Sequence, residues 1–374
     1  MKASVGTQGI TRVRRALSVA IALIVALTIA GCGANASSGS SSQQSASSVS
    51  SATTNASFSS WAQDSQSLKK LTDFVSAATD ESSSSFIPVE DRLAVFDLDG
   101  TLMCETYPWC FEYMVFADYA LNNPNYQAPE EVKSVAQEIV DSAWGKKPEK
   151  MSTRQAQAGA IAYKGLTPAE LEAYVTKFKE SKAEGFSGMT RGQAWYKPMV
   201  EVFEYLQAND FDVYVVTATE RNIVRAVVAG TLNIDPSHVI GTEYGYTATG
   251  QGDEADGDYT FKVGDKVVFD GTYAGENAKT CKVDAIAREI GKQPVLAFGN
   301  SSGDTAMLNY ALSENAHPSA AFMVLADDTE REYGNADDAT KDRESWEKSG
   351  FTVFSMRDDF ATIYGDGVKK EPVA

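Results

Sequence analysis

The sequence predicts an α/β fold built on a parallel sheet, with a block of helices inserted after the first strand. Three observations carry this. Leu93-Ala94-Val95-Phe96 is an apolar run with no polar alternation, as expected of a strand buried on both faces. From Pro198 onward, short apolar runs alternate with helical patterns, the signature of strands covered by helices on both faces. Between these regions, about Met103 to Lys197, the pattern is helical throughout.

The totals bound the problem. The chain has 374 residues, 43% hydrophobic and 10% aromatic, enough for a substantial core. Its net charge of −18 argues against general nucleic-acid binding, which needs a basic face. Two histidines in the whole chain, His238 and His317, argue against a His-based metal site or a Ser-His-Asp triad.

Lys2, Arg12, Arg14 and Arg15 precede an apolar run, Ala16 to Ala30, the size of a signal-peptide core and short for a membrane span. It ends Ile29-Ala30-Gly31-Cys32, which is similar to a bacterial lipobox. The expectation is a signal peptide over 1–31, a lipid on Cys32, and an extracytoplasmic protein anchored to the cell membrane. Residues 32–60 are rich in Ser, Ala, Gln and Asn and read as a flexible tether.

Trp61 to Ala78 carries Leu68, Leu71, Phe74 and Val75 at helical spacing. In the insertion, helices are expected over Trp109 to Leu121, Glu130 to Trp144 and Thr153 to Tyr163. A fourth opens at Thr167-Pro168-Ala169-Glu170, with Thr as cap and Pro in the first turn. After it, Pro198 to Asn209 and Arg221 to Leu232 read as helices, and Asp212 to Thr217 and His238 to Thr242 as strands. Tyr246 to Tyr273 suggests one or two hairpins. Lys282 to Ile290 and Thr305 to Leu312 read as helices. Pro294 to Phe298, Ala320 to Ala326 and Phe351 to Phe354 read as strands, and Asp358 to Tyr364 as a helix.

The chemistry gathers at strand ends. Asp97-Leu98-Asp99-Gly100-Thr101 closes the first strand, where parallel sheets bind ligands. Asp97 and Asp99 share a strand face, and two close carboxylates call for a divalent cation or a shared proton. Thr217 closes the second strand, with Ala218 beside it. A lysine, Lys279 or Lys282, opens the helix after the hairpin region, and Gly299-Asn300-Ser301-Ser302-Gly303-Asp304 follows a later strand. If these strands are neighbours, the set suits phosphoryl transfer, which needs positioning and charge neutralisation.

These four motifs, in this order, resemble the haloacid dehalogenase superfamily over about Leu93 to Tyr364. The resemblance implies a Rossmann-like parallel-sheet core, residues 61–102 and 198–374, with a helical cap over 103–197. It implies a Mg²⁺-dependent phosphatase acting through an aspartyl-phosphate. Asp97 would be nucleophile, Asp99 general acid and base, and Thr217, Ala218 and Lys282 would hold the phosphate. Asp97, the Asp99 carbonyl, Asn300 and Asp304 would hold the metal. The second aspartate favours the phosphatase branch, and the helical insertion resembles the phosphoserine-phosphatase-like group. Within it, phosphorylcholine phosphatases and related lipoproteins are most alike. Tyr107 and Trp109 would then meet a choline-like amine by cation–π contact, with Glu105 or Glu112 as its counter-ion. The family's usual Asp is Asn300 here, whose amide oxygen can still bind Mg²⁺ but brings one negative charge fewer to it and so weakens the metal's hold. That departure leaves open a catalytically silent binding lipoprotein, and a phosphotransferase would use the same aspartyl-phosphate. Cys104 and Cys110 would be a disulfide candidate in an oxidising compartment.

Overall fold

The computed structural model describes residues 57–373; the expected signal peptide, Cys32 and most of the tether lie outside them. In chain order, α1 (Gln66–Thr79) precedes the first strand, β1 (Leu93–Phe96). The insertion then supplies α2 (Phe111–Asn122), α3 (Glu130–Asp141), α4 (Met151–Tyr163), α5 (Pro168–Phe178) and the short β2 (Phe186–Ser187). The sheet resumes with α6 (Lys197–Ala208), β3 (Asp212–Glu220), α7 (Arg221–Val228) and β4 (Val239–Thr242). A hairpin, β5 (Tyr244–Ala248) and β6 (Val267–Tyr273), comes next. The chain then forms α8 (Thr280–Ala285), β7 (Leu296–Gly299), α9 (Thr305–Leu312) and β8 (Ala320–Leu325). It closes with α10 (Ala336–Lys348), β9 (Thr352–Ser355) and β10 (Lys369–Lys370).

Six strands form one parallel sheet in the order β4-β3-β1-β7-β8-β9. The first strand of the chain is therefore central, between β3 and β7. An aromatic ladder crosses four adjacent strands. Phe96 stacks on Phe298 at 4.1 Å, Phe298 on Phe322 at 5.1 Å, and Phe322 on Phe354 at 5.0 Å. Trp61 closes its end edge-on at 4.9 Å from Phe354.

Local signals explain most elements. The Thr167 hydroxyl accepts from the Glu170 amide, and the Glu170 carboxylate accepts from the Thr167 amide, so α5 begins on a reciprocal cap. Ser65 caps α1, which buries Leu71, Val75 and Ala78 along one stripe.

Two expected helices are corrected, and the hairpin region and the cysteine pair, which the sequence leaves open, each take one form. The first helix starts at Gln66, not Trp61: Trp61 bridges to Phe360 and donates its indole N–H to the Pro198 carbonyl at 3.0 Å. The same contact unwinds the helix expected over Asp358 to Tyr364, whose backbone pairs with Ser60 and Ala62 instead. The Tyr246–Tyr273 region holds one hairpin, and its Tyr259, Phe261 and Val263 lie in an irregular loop between the strands. That hairpin, expected within the core span, joins the inserted helices. It packs on α4 and α5, and Gly165 and Leu166 pair with the Phe269 backbone at 2.8 and 2.9 Å. Finally, Cys104 and Cys110 are both free thiols. The Cys104 sulfur meets the buried Glu332 carboxylate at 3.7 Å, while Cys110 opens α2 and faces the cleft described below. No described helix is long and apolar enough to cross a membrane.

The ladder makes a stability prediction. Phe298→Ala removes a fully buried ring stacked on both sides and should cost about 3–5 kcal/mol. Urea unfolding measures this, with the exposed Phe261→Ala as control, expected within about 0.5 kcal/mol of the parent.

Candidate active site

Three central strands, β1, β3 and β7, deliver the motifs to one cleft of about 410 Å³. A larger groove of about 590 Å³, which includes Ser60, Trp195 and Tyr364, contains neither motif aspartate.

Asp97 continues β1 beside β7, its amide donating to the Phe298 carbonyl at 2.9 Å. The turn after it is tight: the Gly100 amide reaches the Met103 carbonyl at 2.7 Å, and Leu102 and Met103 both donate to Leu98. Gly100 has φ +77, and a Cβ there would fall 1.9 Å from the Asn300 amide nitrogen. Glycine is thus required both by backbone and by the close approach of Asn300.

Lys282 is the lysine of the site. Its Nζ donates to Asp97 Oδ1 at 2.6 Å and to Asp304 Oδ1 at 2.7 Å, and all three side chains are buried. Burial works against its charge, but the Asp304 and Asp97 carboxylates outweigh that and hold its pKa above the usual lysine range. Lys279 lines the cleft from a left-handed backbone, φ +56, just before α8. Burial, with Asp304 adding to it and Lys282 opposing, pushes Asp97 up to about 7.

Asp99 accepts from the Thr219 hydroxyl at 2.7 Å through one oxygen, while its other oxygen is buried without a partner. Burial is the main cause of its raised pKa, and the Thr219 hydrogen bond opposes it. Thr217 is buried in the cleft wall beside Ala218, its hydroxyl oxygen accepting from the Thr219 amide at 3.2 Å. Asn277 holds this segment, its side chain donating to the Thr217 carbonyl at 3.1 Å. Sequence reasoning missed Thr219 and Asn277. Thr219 lies two residues beyond Thr217 in a strand that runs on to Glu220, so strand periodicity offered a signal for it. Asn277 had none.

Asp304, expected as a metal ligand, has both oxygens engaged by protein. One meets Lys282; the other accepts from the Asn300 and Ser301 amides, each at 3.0 Å, and from the Ser301 hydroxyl at 3.2 Å. It fastens the loop and positions the lysine. Asn300 donates from its amide to Glu105 at 2.8 Å. A carboxylate at 300 would have no proton to give there. Burial, reinforced by Asp99 and Asp97, raises Glu105 to about 8.

No cluster of three or more His, Cys, Asp or Glu side chains suited to a metal occurs among the described residues. The donor set here is mixed. Asp97 Oδ2 and Asn300 Oδ1 both face the Thr101 hydroxyl, with long contacts of 3.4 and 3.5 Å, so each keeps lone pairs free. Together with the Asp99 backbone carbonyl, to which no backbone amide among the described residues donates, these are hard oxygen donors in an acidic pocket, and they fit a small divalent cation.

Two residues expected to touch substrate do not line the cleft. Tyr107 is fully buried under Arg191, whose guanidinium lies 5.1 Å from its ring centre and donates to its carbonyl at 2.9 Å. Trp109 is tied to α3, its indole N–H donating to the Ile139 carbonyl at 3.0 Å. Both serve packing at the base of the inserted helices. Glu105 and Glu112 do line the cleft, and the aromatic there is Tyr113.

The family model for haloacid dehalogenase-like hydrolases matches residues 94–309, which span all four motifs. The chain belongs to the haloacid dehalogenase-like hydrolases. Solved structures to which the chain is similar include a protein of unknown function from Bordetella pertussis, with 18% identity and a TM-score of 0.45 over 70% of this chain and 97% of that one. Cytosolic 5′-nucleotidase IIIB bound to cytidine shares 13% identity, with a TM-score of 0.44 over 77% of this chain and 84% of that one. A phosphoserine phosphohydrolase-like protein from Francisella tularensis shares 13% identity, with a TM-score of 0.34 over 63% and 88%. No curated protein matches the chain in sequence. In this haloacid dehalogenase-like hydrolase the inserted helices form the wall facing the sheet ends, through Glu112 and Tyr113 of α2 and Ser152 and Gln155 of α4, and the hairpin packs on α4 and α5.

Removing the central cation tests the geometry. Lys282→Met leaves two buried carboxylates facing each other and should cost about 3–5 kcal/mol at pH 8. Asp97 already binds its proton more tightly than an ordinary Asp, so acid relieves the repulsion and the loss should shrink at pH 5. Urea titrations at both pH values measure it.

Proposed function

We propose that the protein is a phosphomonoester hydrolase that works through an aspartyl-phosphate on Asp97. The observation that carries this reading is Lys282 held between Asp97 and Asp304 at the ends of β1 and β7, with Asp99 hydrogen-bonded to Thr219 beside them.

An oxygen of Asp97 attacks phosphorus, and the bond from phosphorus to the alcohol oxygen breaks. Asp99 gives its proton to the departing oxygen, then takes one from the water that attacks the aspartyl-phosphate. Inorganic phosphate leaves and the Asp97 carboxylate is restored. The Thr217 hydroxyl, whose oxygen already accepts from the Thr219 amide, is free to donate to a phosphoryl oxygen. Lys282 spreads positive charge over the reacting carboxylate. Asp97 Oδ2, the Asp99 carbonyl and Asn300 Oδ1 would hold Mg²⁺, which when bound offsets the repulsion between carboxylate and phosphate.

The substrate in this reading is a small extracytoplasmic phosphomonoester. The signal-like segment and Cys32 support a lipid-anchored location outside the cytoplasm, on sequence alone. The phosphocholine variant loses its aromatic support. Tyr107 and Trp109 are absent from the cleft wall, and the ring that remains, Tyr113, already has the Lys147 ammonium 5.1 Å from its centre.

Phosphate release from a panel of phosphomonoesters, with and without Mg²⁺, tests the reading. Asp97→Asn should bring metal-dependent release to background. Asp99→Asn should lower kcat by about 10²–10⁴. Release that survives Asp97→Asn, or no release from folded, Mg²⁺-loaded protein, would overturn it; the second outcome favours a silent binding protein. Substrate consumed faster than phosphate appears, in the presence of added alcohols, would mark a phosphotransferase.

A further inference from the structure

Asn300 stands at a point where a carboxylate would face a cation in either orientation, because its two ends are alike. An amide has two unlike ends, an oxygen that accepts and an NH₂ that only donates. Turned the wrong way, Asn300 would aim N–H groups at a hard cation, which takes oxygen ligands. The site therefore needs a neighbour that selects the oxygen end.

Glu105 makes that selection. Asn300 Nδ2 donates to Glu105 Oε1 at 2.8 Å. This leaves Asn300 Oδ1 on the side of the Thr101 hydroxyl, which also lies 3.4 Å from Asp97 Oδ2. A hydroxyl can donate or accept, so Thr101 would tolerate either end of the amide. Glu105 keeps an acceptor oxygen whether or not its carboxyl carries a proton, so it alone of the two distinguishes the ends.

The segment that carries Glu105 is fastened on both sides. The Cys104 amide donates to the Ala194 carbonyl at 2.8 Å, and its thiol meets Glu332 at 3.7 Å. The Thr106 hydroxyl donates to Glu332 at 2.5 Å. Glu332 is fully buried, does not line the cleft, and also accepts from the Tyr333 amide at 2.7 Å. Gly100 leaves room for the contact: a Cβ there would fall 2.6 Å from Glu105 Oε1 and 1.9 Å from Asn300 Nδ2.

We propose that Glu105 is a positioning residue for the metal site, accepting the Asn300 amide so that Asn300 Oδ1, and not its nitrogen, is presented to a divalent cation beside Asp97. This rests on the metal part of the hydrolase reading and goes beyond it by giving Glu105 a role other than counter-ion to a substrate. Positions 105 and 300 then act as one unit, and donor and acceptor can be exchanged between them.

Mg²⁺ binding to the whole chain, followed by calorimetry without substrate, tests this. Glu105→Leu should weaken Mg²⁺ about ten- to a hundredfold, the usual loss when the group that orients a metal ligand is removed. Glu105→Gln keeps an acceptor oxygen and should lose less. Adding Asn300→Asp to Glu105→Gln reverses the hydrogen bond, with Gln as donor and Asp as acceptor. In the parent, Asn300→Asp sets two carboxyl groups against each other instead. Its effect on Mg²⁺ affinity should therefore be more favourable in the Glu105→Gln background by about tenfold or more. The urea midpoint of metal-free Glu105→Gln should not fall. A fall there, with no rescue by Asn300→Asp, would mark a packing role and overturn the proposal. Mg²⁺ affinity of Glu105→Leu within about threefold of the parent would also overturn it, as would equal effects of Asn300→Asp in the two backgrounds. A parent chain that binds no Mg²⁺ overturns it together with the metal part of the function above. Mg²⁺ binding that changes as expected, without phosphate release from any ester, supports it and defeats only the hydrolase reading.

Discussion

The site depends on one buried ammonium held between two carboxylates. Lys282 touches Asp97 at 2.6 Å and Asp304 at 2.7 Å, where none of the three could be ionised alone without a large desolvation cost. The trio ties three pieces of backbone together: the end of β1, the first turn of α8 and the loop after β7. Asp304 then passes the constraint on, fixing the Asn300 and Ser301 amides with its second oxygen. Asn300 in turn fixes Glu105 across Gly100. The positions of Asp97, Asn300 and Glu105 are thus consequences of one ionic contact plus a glycine turn.

The second constraint is the wall opposite the sheet. Its helices come from the insertion after β1, the β5–β6 hairpin supports them by pairing Phe269 with the α4–α5 connection, and Glu276 and Ala278, just beyond the hairpin, line the cleft. Two distant segments therefore shape the same cleft. Tyr107 and Trp109, at the root of the insertion, are spent on packing and anchoring. The groups left facing the strand ends are polar, and Lys147 among them comes from a connection whose Trp144 packs on Tyr333.

Much of this was legible in the sequence where the signal is local. The unbroken apolar run of Leu93 to Phe96 marked a doubly buried strand, and it proves central. The spacing of Val283, Ile286 and Ile290 marks a helix directly after Lys282 and so favours it over Lys279, but only the contacts to Asp97 and Asp304 decide between the two. The Thr167–Glu170 cap was read residue by residue. What stayed hidden depended on tertiary contacts. No local pattern says that Arg191 will cover Tyr107, from 84 residues away, and so remove it from the site. Helix α10 buries only Ala339 and Trp346, too sparse a stripe to show a period. Lys147 sits in a short polar connection, and only the left-handed turns around it reveal where it goes.

The central claim is that Asp97, poised by Lys282, takes the phosphoryl group. Borohydride reduction of protein quenched during turnover, followed by peptide mass spectrometry, tests it most directly. Hydride converts an aspartyl-phosphate to homoserine, so the account predicts that change at Asp97 and at no other aspartate, dependent on substrate. Turnover with an unmodified Asp97, or a phosphoryl group carried by Asp99 or Cys110, would contradict it.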